Sequence, residues 1–402
     1  MKNFRGAFSL FILTLTTASP AFAHAFDDLN LPSEGLHGHL MLSGAYRSDS
    51  LVKSNEQWTI PGLLMGGEAY PSSAGLALDE VFLTPVYRRE NNYLMLKLGR
   101  HLGSEDLELD HVLVGHQFNP GLAVEGGKMA AIFTPFNGEH AGDTSFSSRR
   151  LVYDAIWGGQ YTDEGLRLKS RLWDIDYGVE LWKGNSFPSK KKDSDKAAYD
   201  LYARYSVKEA AHKFQLGGYY YRSDATARDD SRYTAAHSHS SNVVTTDPSY
   251  FNGRVEVSGL MALASFQIDP ELSLGAQGEL SQIKQNGKLW DLTHEASLDN
   301  KTVGLWGELY ARQSSDKLSY RAERLKVQND VYGPAAGFMA EKLKLLAADK
   351  DPYRHTLSYE HFFSGSFRSR LEWSQDFSTI EKKSIVTLGA VWSEMIFHVA
   401  GS

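Results

Sequence analysis

The chain of 402 residues contains no cysteine. Disulfides, thiolate metal sites and thiol nucleophiles are therefore excluded, and the fold must rest on backbone pairing and packing. Long apolar runs are also missing. Beyond the first two dozen residues none approaches the roughly 18–20 residues that a helix needs to span a bilayer. That excludes a helical membrane protein but not a barrel, whose strands hide their apolar residues by alternation. There is no basic surplus either: the net charge is −7, which argues against a general nucleic-acid partner. No Gly-x-Ser-x-Gly elbow, His-Glu-x-x-His helix or phosphate loop occurs, so neither an enzyme nor a bound cofactor is expected.

What is present begins with an export signal. Lys2 and Arg5 precede an apolar core over residues 8–15, and Ala21-Phe22-Ala23 is a small-x-small cleavage site. The spacing predicts a signal peptide over 1–23 and a single mature domain over 24–402. Losing Lys2 and Arg5 takes the charge from −7 to −9. About a dozen residues then separate the cleavage site from the first strand-like run, too few for a plug domain. Twenty Tyr, twenty Phe, eight Trp and thirty-five Gly suit a barrel with aromatic girdles and tight turns.

The deciding signal is a period of two. Leu272, Leu274, Ala276, Gly278 and Leu280 alternate with Ser273, Gly275, Gln277, Glu279 and Ser281, and Val303, Leu305, Gly307 and Leu309 alternate with Gly304, Trp306, Glu308 and Tyr310. Several such runs reach ten residues, the length a tilted strand needs to cross a bilayer and about twice that of an ordinary strand. Turn chemistry marks short connections at Asn119-Pro120-Gly121, Asp269-Pro270-Glu271 and Ser364-Gly365. Long polar stretches lie at 48–75, 135–164, 185–196, 224–250, 286–299 and 329–352. Short and long connections largely alternate, as they do when turns face one side of a membrane and loops the other. The pattern predicts an all-β, transmembrane antiparallel β-barrel of about sixteen strands, the first near 36–47. Others fall near 122–134, 212–223, 271–284, 300–313 and 316–328, and the last near 384–397. The strand-like residues 151–157 would break this alternation and are read as part of a long loop folding inward.

Three stretches carry a resemblance. They are Leu109-Asp110-His111-Val112-Leu113-Val114-Gly115, then Pro120-Gly121-Leu122-Ala123-Val124-Glu125-Gly126-Gly127-Lys128, then Ser147-Ser148-Arg149-Arg150 with the hairpin over 165–185. In order and pattern they resemble the phosphate-selective porin O/P family over the first half of the mature chain. The resemblance implies a passive diffusion channel in the Gram-negative outer membrane, a homotrimer whose third extracellular loop narrows the pore. Its partners would be outer-membrane lipid, lipopolysaccharide and small hydrophilic solutes, anions such as phosphate among them. Two departures stand out. The terminal aromatic expected of such barrels is followed by His398-Val399-Ala400-Gly401-Ser402, so the last strand is expected to end early. The arginine-rich pore is only partly visible.

Alternation turns Arg167, Lys169 and Arg171 to one face of a strand and Arg368 and Arg370 to the same side of another. Stacked about 7 Å apart, within one Debye length, they would draw anions, unless Glu180, Glu279, Glu308 and Glu372 neutralise them. In the inward loop, Glu139, His140, Asp143, Arg149, Arg150 and Asp154 are positioned either to meet solute or to pin the loop to the wall. The run Lys190-Lys191-Lys192 reads as solvated. His37 with His39, and His237 with His239, are spaced to share a strand face, but two imidazoles without a third ligand make a weak metal site.

Overall fold

In a computed structural model the described residues are 29, 31, 33–53, 56–100, 107–189, 197–233, 247–346 and 351–400. The export signal, the Lys190 to Lys192 run, His237 and His239 lie outside them. Sixteen strands follow in order: β1 (Gly35–Arg47), β2 (Gly75–Arg89), β3 (Asn92–Arg100), β4 (Glu108–Asn119), β5 (Leu122–Ala130), β6 (Thr162–Leu172), β7 (Ile175–Trp182) and β8 (Ala198–Lys208). Then come β9 (His212–Arg228), β10 (Tyr250–Gln267), β11 (Leu272–Trp290), β12 (Glu295–Gln313), β13 (Asp316–Tyr332), β14 (Tyr353–Phe362), β15 (Phe367–Asp376) and β16 (Lys383–Val399). Each pairs antiparallel with its neighbours, and β1 closes on β16 from Leu36 opposite Val399 to Arg47 opposite Thr387. Closure leaves no strand edge to satisfy in lipid.

The outward faces carry the apolar residues. Leu166, Leu168, Leu216, Leu260, Leu280, Leu305, Leu309 and Leu318 are all exposed, because their solvent is lipid. Tight hairpins close the periplasmic end. Glu90, Trp173 and Ser314 each open a two-residue turn with φ near +50°, the left-handed conformation that matches strand twist. No helix of the described residues is long and apolar enough to cross a membrane.

Four details differ from the sequence reading. The stretch 286–299 is not a loop: β11 and β12, 19 residues each, meet at a four-residue tip. With β9, β10 and β13 they make a tall sector, about 60 Å along the strand and roughly 45–50 Å along the barrel axis at ordinary tilt. Above the bilayer the outward positions turn polar (Lys284, Asn286, Lys288; Asp299, Lys301), so the alternation that announces a strand disappears. Next, β5 stops at Ala130, four residues short of 134, because the Ile132 N–H turns inward to Glu180 at 3.0 Å. Within 131–161, residues Leu151–Ile156 form a short helix, α1, buried on every side. Finally, β16 does not end early: His398 pairs with His37 and Val399 with Leu36.

Candidate functional site: a clamped loop across the lumen

The connection between β5 and β6, here the inner loop (131–161), crosses the barrel from wall to wall. Its neck is stapled by Asn137, whose Nδ2 donates to the carbonyls of Ala131 and Tyr161, both at 2.9 Å. Its apolar side fills the lumen beside β8 to β12. Phe133 packs on Trp157 and Tyr219, with ring centroids 4.5 and 4.7 Å apart, and Trp157 meets Tyr221 edge-on. Glu279, buried on β11, accepts hydrogen bonds from Tyr153 (2.8 Å), Thr134 (3.1 Å) and Tyr219 (2.7 Å). That carboxylate ties both arms of the loop to the wall.

The far side of the loop is held through its main chain. Arg368 and Arg370 on β15 each donate to the Thr144 carbonyl at 3.1 Å, and Arg370 also to Ala141 at 2.9 Å. Arg321 on β13 donates to the Ser148 carbonyl at 3.0 Å. Carboxylates take the amides: the Ser147 N–H donates to Glu372 (2.8 Å), Leu151 to Glu323 (2.6 Å) and Gly142 to Glu80 (3.3 Å). The same wall groups pair among themselves, Arg354 with Glu323 at 2.7 Å, Arg321 with Glu323 at 3.2 Å and Arg368 with Glu360 at 2.7 Å. Charge-assisted bonds are the strong ones, and a backbone without regular pairing needs such partners when buried.

A second loop descends onto the first. Residues 48–74 bury Trp58, Ile60, Leu63 and Met65, and Arg232 holds them by donating to the Ala69 carbonyl at 2.6 Å. The two loops touch at Gly67 and Gly158, both at φ +66°. A Cβ on Gly67 would stand 2.7 Å from the Gly158 carbonyl, so only glycine fits.

The structure distributes the sequence-derived residues as follows. Arg150 is buried, pairs with Glu139 and lies over the Trp306 ring at 4.1 Å. Asp154 is buried on α1, with one oxygen lacking a hydrogen bond. The cations of β6 face inward but are matched. Arg167 sits between Glu180 and Glu125 (2.7 Å), Lys169 on Glu125 (2.6 Å) and Arg171 on Asp176 (2.5 Å). Arg370 faces Glu372 at 3.5 Å. His37 and His39 share the inward face of β1. His37 contacts the Ser33 carbonyl at 2.6 Å and His39 the Ser393 hydroxyl at 3.1 Å, and no cluster of three metal-ligating side chains occurs among the described residues. Sequence reasoning missed Arg47, Glu80, Arg321, Glu323, Arg354 and Ser148. The alternation Arg321-x-Glu323 beside Arg368-x-Arg370-x-Glu372 was the available signal.

Two small cavities lie at the level of the inner loop. One cavity of about 50 Å³ lies between the loops and β14 to β16, lined by Arg47, Ser148, Arg149, Asp154, Arg354 and Asp376 among others. Another, of about 20 Å³, lies against Glu139, His140, Ser148, Arg149, Arg150 and Arg321. The first has room for a few waters and the second for about one. Ser148 and Arg149, here the eyelet pair, line both, and Arg149 donates to the Glu68 carbonyl at 2.7 Å.

Burial pushes the Asp154 carboxyl up to about 6, against the opposing pull of the Arg354 and Arg149 guanidiniums. An acid whose pKa is higher folded than unfolded is disfavoured once ionised. The cost is present above about pH 6 and fades as pH falls toward 4. The variant Asp154→Asn is therefore expected to match the wild type in thermal midpoint near about pH 3.5 and to exceed it near about pH 7.5. A difference that is the same at both pH values would show that Asp154 does not titrate between them.

Neither a family model nor a curated protein sequence matches the chain. Solved structures do. A loop-deletion mutant of OmpT, an outer membrane protein of Vibrio cholerae, superposes with a TM-score of 0.50 at 13% identity, covering 90% of this chain and 100% of its own. The in-vitro folded OmpT of Vibrio cholerae in trimer form gives 0.50 at 12% identity, with 90% and 100% covered. An anion-selective porin from Comamonas acidovorans gives 0.48 at 10% identity, with 90% and 99% covered. With the two OmpT structures what is shared is the fold, and the closed sixteen-stranded wall with its lipid-facing leucines is that of an outer-membrane β-barrel.

Proposed function

We propose that the chain is a passive diffusion channel for small hydrophilic solutes, inorganic anions such as phosphate among them, working as a homotrimer in the outer membrane. The observation that carries this is the eyelet pair: Ser148 and Arg149 line both of the cavities at the level of the inner loop. Around the smaller cavity stand Arg149, Arg150 and Arg321, of which Arg150 is paired with Glu139 and Arg321 with Glu323. A cationic surplus at a constriction raises the local concentration of anions. The ladders on β6 and β15 add little to it, since their charges are matched by carboxylates and, on β15, also engaged by the loop.

Reconstitution in a planar bilayer across a salt gradient tests both parts. The wild type should conduct, and Arg149→Gln should move the reversal potential toward cations. A barrel that inserts but never conducts would overturn the channel reading. A reversal potential indifferent to Arg149 would overturn the anion preference alone.

A further inference from the structure

The outer surface of the tall sector carries a feature that conduction does not use. On β12 and β13 the outward residues Gly307 and Ala322 are cross-strand partners, and between the larger side chains around them lies a groove of about 850 Å³. Leu305, Arg324, Asp351, Tyr353 and His355 border it. A Cβ on Gly307 would meet nothing nearer than 4.0 Å, so packing does not demand a glycine there; its smallness leaves the groove open. One flank is stiffened by Tyr320, whose ring lies parallel to that of His355 and whose hydroxyl pairs with its Nδ1 at 2.8 Å.

At the end of this groove toward the long loops basic residues cluster. Arg324 stands on its rim, bonded to Asp351 at 2.7 Å, and Lys326 is the next outward residue of β13. Lys301 on β12 lies opposite Gln328, diagonal to Lys326, and directly opposite Lys284 on β11. Like charges facing each other across a ladder destabilise it. Lys284, Lys301 and Lys326 have no ion pair among the described residues, although Glu256 faces Lys284 across the β10–β11 pair and, one outward step nearer the long loops, Asp299 beside Lys301 faces Asp330. This cluster sits where the outward leucines Leu280 and Leu305 give way to charge, the depth of the outer-leaflet headgroups.

We propose that this surface is a binding site for lipid A. An acyl chain would lie along the Gly307–Ala322 floor, and a glucosamine phosphate would be held by Lys301, Arg324 and Lys326, with Lys284 at its edge. The arguments for this occupant are charge complementarity and depth: the outer leaflet at the long-loop end is where a phosphate-bearing glycolipid meets the wall. Arg and Lys bind phosphate oxygens through charge-assisted bonds, and an unbalanced lysine pair gains a counter-ion on binding.

Native mass spectrometry of the full-length barrel with added lipid A, phosphatidylglycerol or phosphatidylethanolamine tests the proposal. The wild type should retain lipid A in preference to both phospholipids. The triple variant Lys301→Gln/Arg324→Gln/Lys326→Gln should lower that retention about tenfold. Gly307→Leu, which fills the groove and leaves the charges in place, should lower it severalfold. Heat-modifiability on gels confirms that each variant folds. Equal retention by the wild type and both variants would overturn the site. Equal retention of phosphatidylglycerol would overturn the lipid A assignment. All four positions face away from the lumen, so channel conductance should not change, and loss of this site is distinguishable from failure of the pore.

Discussion

Deleting residues 137–150 is expected to raise single-channel conductance about threefold or more, since a sixteen-stranded wall otherwise encloses an aqueous channel. The deletion removes the eyelet residues Ser148 and Arg149 and the main chain that Arg368, Arg370, Glu372 and Glu80 hold. Strand pairing does not depend on that segment, because every neighbouring pair around the barrel is closed by its own ladder. The freed wall charges would be hydrated and partly paired with one another, as Arg368 is with Glu360. Single-channel recordings against the wild type give the measurement. Unchanged conductance in a barrel that is still heat-modifiable would show that solutes travel past the loop by another route.

Replacing Arg167 with alanine should cost stability rather than selectivity. Its guanidinium is 2% exposed and lies between Glu125 and Glu180, each fully buried. Removing one partner of a buried ionic network costs about 3–5 kcal/mol, because the remaining charges stay uncompensated. Lys169 can satisfy only part of the deficit through Glu125. Denaturant titration of the barrel in detergent should show that loss, while the reversal potential of the folded fraction should hold, the cation having been neutralised where it stood. A shifted reversal potential with unchanged stability would mean that Arg167 faces open water. Alternation alone left open whether carboxylates, Glu180 among them, neutralise the three cations; the pairing comes from Glu180 and Asp176 on β7 and from Glu125 on β5, the two neighbours of β6.

The barrel was legible because its evidence is local. Leucine at every second position announces a lipid-facing strand wherever the outward side meets hydrocarbon, and turn residues mark the periplasmic hairpins. The reading failed where that cause ended. Lys284, Asn286 and Lys288 lie on a continuing strand, but above the bilayer outward positions gain nothing from being apolar. The residues of α1 are buried all round by the β12 and β13 wall and by the rest of the inner loop, so neither a period of two nor one of 3.6 could show. The clamp was the least visible part. Arg370 and the Ala141 carbonyl it holds are separated by 229 positions, and a main-chain acceptor leaves no trace in the identity of the residue that carries it.

That last property has a consequence for how such a protein can change. On its far side the inner loop is gripped by its carbonyls and amides, atoms that every residue possesses. Side chains at Ser148, Arg149 or Asp143 can therefore be exchanged while the loop keeps its place. On the far side of the loop, position and chemistry are set by different parts of the chain: the strands fix where the filter stands, and the loop's side chains there decide what it prefers. A lineage could retune its permeant solute one substitution at a time without refolding the barrel, and an engineer could use the same frame as a socket for new filters.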